Sequence, residues 1–237
     1  TYSFVCMKNL AIAFCSFRPS QYPARIQDYR EREYLTCLKQ LYRVIPDSYD
    51  IVIVDNTVSS SSKLSNKELE NFLLNNHFIS LDTNRGEDNK GIGELDMLID
   101  VMSRLDIESY TNITYITARR IFTCPYFFER TEHLTKEALI SNPDFLYLNG
   151  NFHESHKQGM YNDMIFSMSR NTMQKYAKYS KDRLEKLELH QIGSEQNLYN
   201  FIHENNISYD YVKWIGLIRN DWAADNSEQN IMNFHIN

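Results

Sequence analysis

The sequence places a carboxylate, an amide and a hydroxyl directly after a short apolar run. Residues 51–54 read Ile-Val-Ile-Val, and Asp55, Asn56 and Thr57 follow them. A β-branched run bounded by polar residues predicts a strand that is buried on both faces inside a parallel sheet. Ligands of open α/β sheets bind just outside the carboxyl ends of the strands, so this strand end is a candidate ligand contact. The alternative is a plain turn, because Asp and Asn also favour turns.

A second group of candidate residues precedes a predicted helix. Lys90, Gly91 and Gly93 stand at the end of a polar loop that contains glycine. Free backbone amides and the helix dipole favour phosphate at such a position. The pattern Gly91-x-Gly93-x-x-Asp96 is not a dinucleotide fingerprint, because it follows the third predicted strand rather than the first and its third position is not glycine.

A framework of alternating strands and helices is predicted to position these residues. Apolar runs predict strands at 9–17, 51–54, 78–81 and 113–122. Apolar residues at spacings of three and four predict helices at 28–45 and from Gly93 to about 105, and a capping box of Ser65 and Glu68 begins a further helix that ends at Leu74. This alternation predicts an α/β fold with a mainly parallel central sheet and helices on both faces, related to the Rossmann fold.

The second half of the chain is less regular. Strands are predicted at 145–148, 164–168 and 211–218, and helices at 171–179 and 183–189. Ser194 is predicted to cap a further helix that runs to about Glu204. The residues after Asp221 are polar. No linker rich in Gly, Ser or Pro separates the halves, so a single domain over 1–237 is predicted.

Composition excludes several classes of protein. The 237 residues carry a net charge of -6, with a pI near 5.7, which argues against general nucleic-acid binding. The four cysteines have no paired spacing, which is typical of reduced thiols in a reducing compartment. The longest apolar run, residues 10–14, is too short to span a bilayer. A soluble, cytoplasmic protein is therefore expected.

Three segments, taken in order, resemble a known family. They are the helix Arg30-Glu-Arg-Glu-Tyr-Leu-Thr-Cys-Leu-Lys-Gln-Leu, the strand end Ile-Val-Ile-Val-Asp55-Asn56-Thr57, and the loop Asn84-Arg85-Gly86 that leads to Lys90-Gly91-Ile92-Gly93-Glu94. Together they resemble the nucleotide-binding half of a GT-A-type glycosyltransferase, over roughly residues 9–125. The resemblance implies a nucleotide-sugar donor bound across the strand ends, with carbohydrate-acceptor binding and catalysis by about residues 126–220. Residues 221–237 are predicted from their composition to form a polar tail.

Physical reasoning on the same residues agrees with the resemblance and predicts donor-binding roles for them. Phe17 and Arg18 would face the base, and Asp55 would accept hydrogen bonds from base or ribose. Positive charge near the diphosphate would come from Arg18, Arg25, Arg85 and Lys90. The predicted donor site consists of Phe17, Arg18, Arg25, Asp55, Asn56, Thr57, Asn84, Lys90, Gly91, Arg119 and Arg120.

One segment departs from the family. GT-A enzymes usually carry an Asp-x-Asp metal motif after the fourth strand, where this chain reads Thr117-Ala118-Arg119-Arg120. Cationic side chains can stabilise the developing negative charge in place of a metal. We therefore expect a metal-independent enzyme in which Arg119 or Arg120 neutralises the leaving diphosphate. A divalent cation (Mn or Mg) stays possible as a cofactor, although its motif is not seen.

An inverting transfer needs a base that deprotonates the acceptor hydroxyl. The candidates are Asp163, which is favoured, Glu195 and His190. His153 and His156 do not have the spacing of a helical metal motif. They are candidates for contact with an acceptor sugar.

Two other functions stay open. An S-adenosylmethionine-dependent methyltransferase would also use an acidic residue after its second strand, but residues 16–27 contain none of the glycines that such enzymes place after the first strand. A non-catalytic carbohydrate-binding protein on a degenerate transferase fold would explain the missing Asp-x-Asp motif.

Overall fold

The computed structural model describes residues 8–81, 83, 89–141, 145–148, 151–154, 159–213, 215–220 and 231–232. The strands are β1 (Lys8–Cys15), β2 (Tyr49–Asp55), β3 (Phe78–Ser80), β4 (Tyr110–Thr117), β5 (Arg120–Phe122), β6 (Ala138–Ser141), β7 (Phe145–Leu148), β8 (Asn151–Glu154), β9 (Ile165–Ser169), β10 (Tyr209–Val212), β11 (Leu217–Asn220) and β12 (Ile231–Met232). The α-helices are α1 (Ala24–Val44), α2 (Lys67–Leu74), α3 (Lys90–Arg104), α4 (Tyr126–Glu132), α5 (Arg170–Leu189) and α6 (Ser194–Glu204).

Seven strands form the central sheet, in the order β10-β6-β9-β4-β1-β2-β3. β1 pairs in parallel with both β2 and β4, β2 pairs in parallel with β3, and β6 pairs in parallel with β10. β9 runs antiparallel to its neighbours β4 and β6. The predicted α/β fold with a mainly parallel sheet is therefore confirmed, and the chain forms a single α/β domain.

The central strands are apolar because both faces of the sheet are covered. Along β1, Leu10, Ile12 and Phe14 join one core with residues of α3, α5 and α6. The alternate residues Ala11, Ala13 and Cys15 join a second core with residues of α1, α2 and α4. A strand that is buried on both faces reads as a continuous apolar run, which explains why β1, β2 and β4 are visible in the sequence.

The order in which the strands are added to the sheet changes direction at β1. From β1 it proceeds outward through α1 to β2 and through α2 to β3, and then α3 returns it to β4 on the other side of β1. The carboxyl ends of β1, β2 and β4 therefore meet at a topological switch point, where the loops diverge to opposite sides and leave a crevice.

Several predicted elements have different limits in the structure. The strand predicted at 113–122 ends at Thr117, and β5 pairs instead with β11 in a separate three-stranded sheet. The strand predicted at 211–218 is divided into β10 and β11, and Gly216 with φ 57° lies between them. The two helices predicted at 171–179 and 183–189 form the single helix α5. The intervening Ser180 is buried, and its hydroxyl accepts a 2.9 Å hydrogen bond from Asn197.

The predicted caps were also wrong by one residue. Asn66, rather than Ser65, caps α2, and its side chain accepts hydrogen bonds from the amides of Glu68 and Leu69. Gly193, rather than Ser194, occupies the cap position of α6. The sequence prediction also missed β6 and α4, and nearly all of the predicted tail at 221–237 lies outside the described residues.

Candidate functional site

A cleft lies at the switch point, at the carboxyl ends of β1, β2 and β4. Four of the predicted donor-binding residues line it, namely Asn56, Thr57, Lys90 and Arg119. They come from the end of β2, the start of α3 and the residues after β4. The topology thus brings together residues that lie far apart in the sequence, as the position of the strand ends predicts.

The loop after β1 and the loop after β2 are held side by side at the floor of this cleft. The hydroxyl of Ser16 donates to Asn56 Oδ1 at 3.1 Å, and the amide of Arg18 donates to Thr57 Oγ1 at 2.9 Å. These bonds hold the side chains of Asn56 and Thr57 in fixed positions beside the cleft. A polar side chain with a fixed orientation is a better recognition group than a mobile one.

Asp55 is the residue that fixes the two loops. Its carboxylate is fully buried and accepts hydrogen bonds from the amides of Phe17 at 2.7 Å, Thr57 at 2.7 Å and Val58 at 2.9 Å. Burial raises the pKa of Asp55 to about 6, although these hydrogen bonds act in the opposite direction. The carboxylate that was predicted to meet the nucleoside is thus bonded to the backbone of its own chain, and it is Asn56 and Thr57 that line the cleft.

The predicted arginines have different surroundings. Arg18 pairs with Asp28 at 3.1 Å and with Glu31, which directs its guanidinium toward α1. Arg119 pairs with Glu33 of α1 through Nε at 3.0 Å. Arg120 donates to the Arg119 carbonyl at 3.1 Å and contacts Met164 Sδ. Arg25 is exposed in the first turn of α1, and of these four arginines only Arg119 lines the cleft.

The amides at the start of α3 are already bonded. Asn89 caps the helix, and its side chain accepts from the amides of Gly91 at 3.0 Å and Ile92 at 3.4 Å. Gly91 also lies against α6, since a Cβ built on it would be 2.7 Å from the Ser194 nitrogen. The glycine at position 91 therefore permits close packing of two helix ends, and the free amides predicted for a phosphate there are not available in this conformation.

Three carboxylates gather behind the start of α3. Glu94 lies 3.0 Å from Lys90 Nζ and accepts a 3.2 Å hydrogen bond from the Tyr115 hydroxyl. Asp163 accepts a hydrogen bond from the Ser194 hydroxyl. Burial, with the charges of Glu195 and Glu94, raises the pKa of Asp163 well above its ordinary value, and burial also raises the pKa of Glu195. Of the three carboxylates, Glu94 lines the cleft.

Of the predicted histidines, only His190 has a described side chain, and it does not line the cleft. His190 is exposed at the C-terminal end of α5. The backbone of His153 belongs to β8, which pairs with β7 in a two-stranded sheet, and its side chain lies outside the described part of the structure. His156, Asn84 and Arg85 also lie outside the described residues.

Five described polar side chains line the cleft but were not predicted from the sequence, namely Ser16, Gln21, Tyr22, Arg30 and Glu94. Arg30 is the most informative of them. It precedes Tyr34 by one helical turn, so it occupies the apolar inner face of α1, where a solvated arginine is not expected. The position of Arg30 on this apolar face is the sequence feature that could have identified it as a site residue.

The residues after β4 do not fit a divalent cation, because Arg119 and Arg120 bring positive charge and Thr117 and Ala118 bring no carboxylate. Among the residues with described positions, no group of three or more His, Cys, Asp and Glu side chains is arranged to hold a metal ion.

Known structures share this architecture. A protein assigned as a nucleotide-diphospho-sugar transferase from Desulfovibrio desulfuricans superposes with a TM-score of 0.53, at 10% identity over 86% of this chain and 79% of the other. The fold is that of nucleotide-diphospho-sugar transferases and nucleotidyltransferases. CMP:2-keto-3-deoxy-manno-octonic acid synthetase complexed with CTP gives a TM-score of 0.50, at 10% identity over 87% of this chain and 90% of the other.

A further similar structure is 4-diphosphocytidyl-2C-methyl-D-erythritol synthase from Anaerococcus prevotii, with a TM-score of 0.50, at 12% identity over 88% of this chain and 87% of the other. No family model matches the sequence, and no curated protein matches it. Within the described parts of the chain, no helix has the length and apolar content needed to cross a bilayer.

Proposed function

We propose that this chain is a glycosyltransferase that moves a sugar from a nucleotide-sugar donor to a carbohydrate hydroxyl without a catalytic metal. The observation that carries the proposal is the cleft at the switch point of a nucleotide-sugar transferase fold, with Asn56 and Thr57 fixed at its floor. Backbone and side-chain groups at such strand ends are suited to recognising a nucleoside.

The proposed base belongs to the carboxylate cluster behind α3. A raised pKa suits a base that works near neutral pH, which supports Asp163 and Glu195 as candidates. Glu94 joins them, because it lines the cleft and is linked to the cluster electrostatically. The acceptor roles of His153 and His156 remain predictions.

The first experiment is a thermal-shift screen of the wild-type chain against UDP-, GDP-, TDP- and CMP-sugars and S-adenosylmethionine, with and without manganese. A ligand that binds only the native state raises the melting temperature in proportion to its saturation. We expect one sugar nucleotide to stabilise the protein without metal. Stabilisation by S-adenosylmethionine alone would favour the hypothesis that the protein is a methyltransferase.

A matched pair of variants tests the position of the donor. Asn56→Ala removes a cleft-lining amide and should weaken binding of the stabilising sugar nucleotide about 5- to 10-fold, since one hydrogen bond contributes about 1 kcal/mol. Asn71→Ala, at an exposed position of α2, should bind like the wild type. Equal affinity of both variants would place the donor elsewhere.

A nucleotidyltransferase is the second candidate, because two of the similar structures are synthases named for cytidylyl products or solved with CTP. One feature argues against it. Residues 16–27 contain no glycine and two prolines, whereas a triphosphate is commonly held by the backbone amides of a glycine-rich loop. Release of pyrophosphate from CTP in the presence of sugar phosphates or sugar acids would establish this alternative.

A further inference from the structure

Among the described residues that line the cleft, one buried cation has no carboxylate partner. The described cationic side chains that line the cleft are Arg30, Lys90 and Arg119. Lys90 pairs with Glu94 at 3.0 Å and Arg119 pairs with Glu33 at 3.0 Å. Among the residues that the structure describes, no carboxylate lies within 4.0 Å of the Arg30 guanidinium. Arg30 is nevertheless only 5% exposed.

Neutral groups of the cleft wall hold the Arg30 guanidinium. Its Nε and Nη2 donate to the Ser16 carbonyl at 3.1 and 2.8 Å. Its Cζ lies 5.4 Å from the ring centre of Tyr22 and 5.7 Å from that of Tyr34, within the range of a cation–π contact. These contacts orient the guanidinium, but none of the described groups that make them carries a compensating negative charge. Nη1 makes no hydrogen bond to any residue in the described ranges.

An unpaired buried charge is costly unless a ligand completes it. The guanidinium fork matches the oxygens of phosphate, with which arginine forms short, charge-assisted hydrogen bonds. Arg30 also lies beside Ser16, which is bonded to Asn56 at the floor of the cleft, so an anion at Arg30 would adjoin a nucleoside at Asn56.

We infer that Arg30 pairs with a phosphate oxyanion in the cleft and supplies the charge neutralisation that the sequence assigns to Arg119 or Arg120. Within the proposed function, on which this extension rests, the anion is the donor diphosphate. Arg119 is bound to Glu33, whose charge offsets its own, whereas Arg30 keeps its full charge for the ligand. Arg30 is thus the cation that favours departure of the nucleotide.

The test is isothermal titration calorimetry with inorganic pyrophosphate in the presence of a metal chelator. This probe requires no knowledge of the base or sugar of the donor, or of the acceptor. Wild-type protein should bind it. Arg30→Gln should lose about 10- to 100-fold in affinity, as expected for a charged hydrogen-bonding partner. Arg30→Lys keeps the buried charge and the fold but loses the fork, so its affinity should lie between the two. Arg43→Gln, exposed in the last turn of α1, is the charge-matched control and should bind like the wild type.

Two results would overturn the inference: no binding of millimolar pyrophosphate by the wild type, or wild-type affinity in Arg30→Lys and in Arg30→Gln. Should Arg30→Gln fail to fold, the pyrophosphate affinities of Arg30→Lys and Arg43→Gln are compared instead, and equal affinities would overturn the inference.

The outcomes also separate this inference from the proposed function. Arg30-dependent binding of pyrophosphate without binding of any sugar nucleotide would refute the transferase alone. Wild-type affinity of both Arg30 variants for a sugar nucleotide would refute the role of Arg30 alone.

Discussion

Arg119 donates to both carboxylate oxygens of Glu33, from Nε at 3.0 Å and from Nη2 at 3.4 Å. The pair joins the residue that follows β4 to α1, and the Glu33 side chain is 2% exposed. A bidentate pair at this depth fixes the position of the loop after β4 against the wall of the cleft. The first role of Arg119 is therefore structural.

Arg119→Gln should destabilise the fold by about 3–5 kcal/mol, because it leaves the Glu33 carboxylate buried without a partner. The double variant Glu33→Gln/Arg119→Gln should recover part of this loss, since it removes both charges. Urea denaturation measures the effect. Arg104→Gln, which breaks the exposed pair with Asp100, should cost less than about 1 kcal/mol and serves as the control. A stable Arg119→Gln variant that fails only to bind donor would show that the arginine acts on the ligand instead.

Asp55→Ala should lower the free energy of unfolding by about 2–4 kcal/mol, because the buried amides of Phe17, Thr57 and Val58 lose their acceptor. The matched control is Asp50→Ala, near the start of the same strand, where the carboxylate forms a half-exposed pair with Lys8 and accepts from the Tyr110 hydroxyl at 3.1 Å. Because these partners are not buried backbone amides, Asp50→Ala should cost less than Asp55→Ala. Chemical denaturation near neutral pH checks both variants. Unchanged stability with lost nucleotide binding would assign Asp55 directly to the ligand.

The stability of the protein should fall as the pH rises from about 4 to about 6, a window set by the ordinary carboxyl value of 3.8 and the Asp55 pKa of about 6. Asp163, whose pKa burial also raises, should add to the fall. Both groups hold a proton more tightly in the native state than in the unfolded chain, where the ordinary value is 3.8. The native state therefore loses stability as these carboxyls ionise.

Asp163→Asn should flatten this dependence, because its side chain stays neutral and can still accept from Ser194. Melting temperatures recorded across the pH range test this. Asp47→Asn, at an exposed carboxylate, should give a curve parallel to that of the wild type. Parallel curves for Asp163→Asn and the wild type would mean that Asp163 does not contribute to the pH dependence.

The sequence predicted the sheet well, because β1, β2 and β4 are buried on both faces and therefore stand out as continuous apolar runs. The position of Asn56 and Thr57 at the cleft followed from the same pattern, since parallel strand ends meet at one edge. The direction of β9 could not be predicted in this way, because its apolar run is compatible with either strand direction.

The chemistry of the site depends on contacts between distant segments, which no local pattern specifies. Asp55 accepts from Phe17, 38 residues away, so the sequence could not reveal that its carboxylate would be occupied by the chain itself. Arg119 meets Glu33 across 86 positions. Arg30 has no carboxylate partner in the part of the chain that the structure describes, and only the folded structure distinguishes it from the paired arginines.

The central claim, sugar transfer from a nucleotide donor bound in this cleft, is tested most directly by phosphorus NMR of the products. The protein is incubated with the stabilising sugar nucleotide and a mixture of carbohydrate acceptors in chelator. We predict release of the nucleoside diphosphate, or of CMP from a CMP-sugar, and slower release by Asn56→Ala than by Asn71→Ala. Release of pyrophosphate from a nucleoside triphosphate, or no consumption of any sugar nucleotide, would contradict the claim.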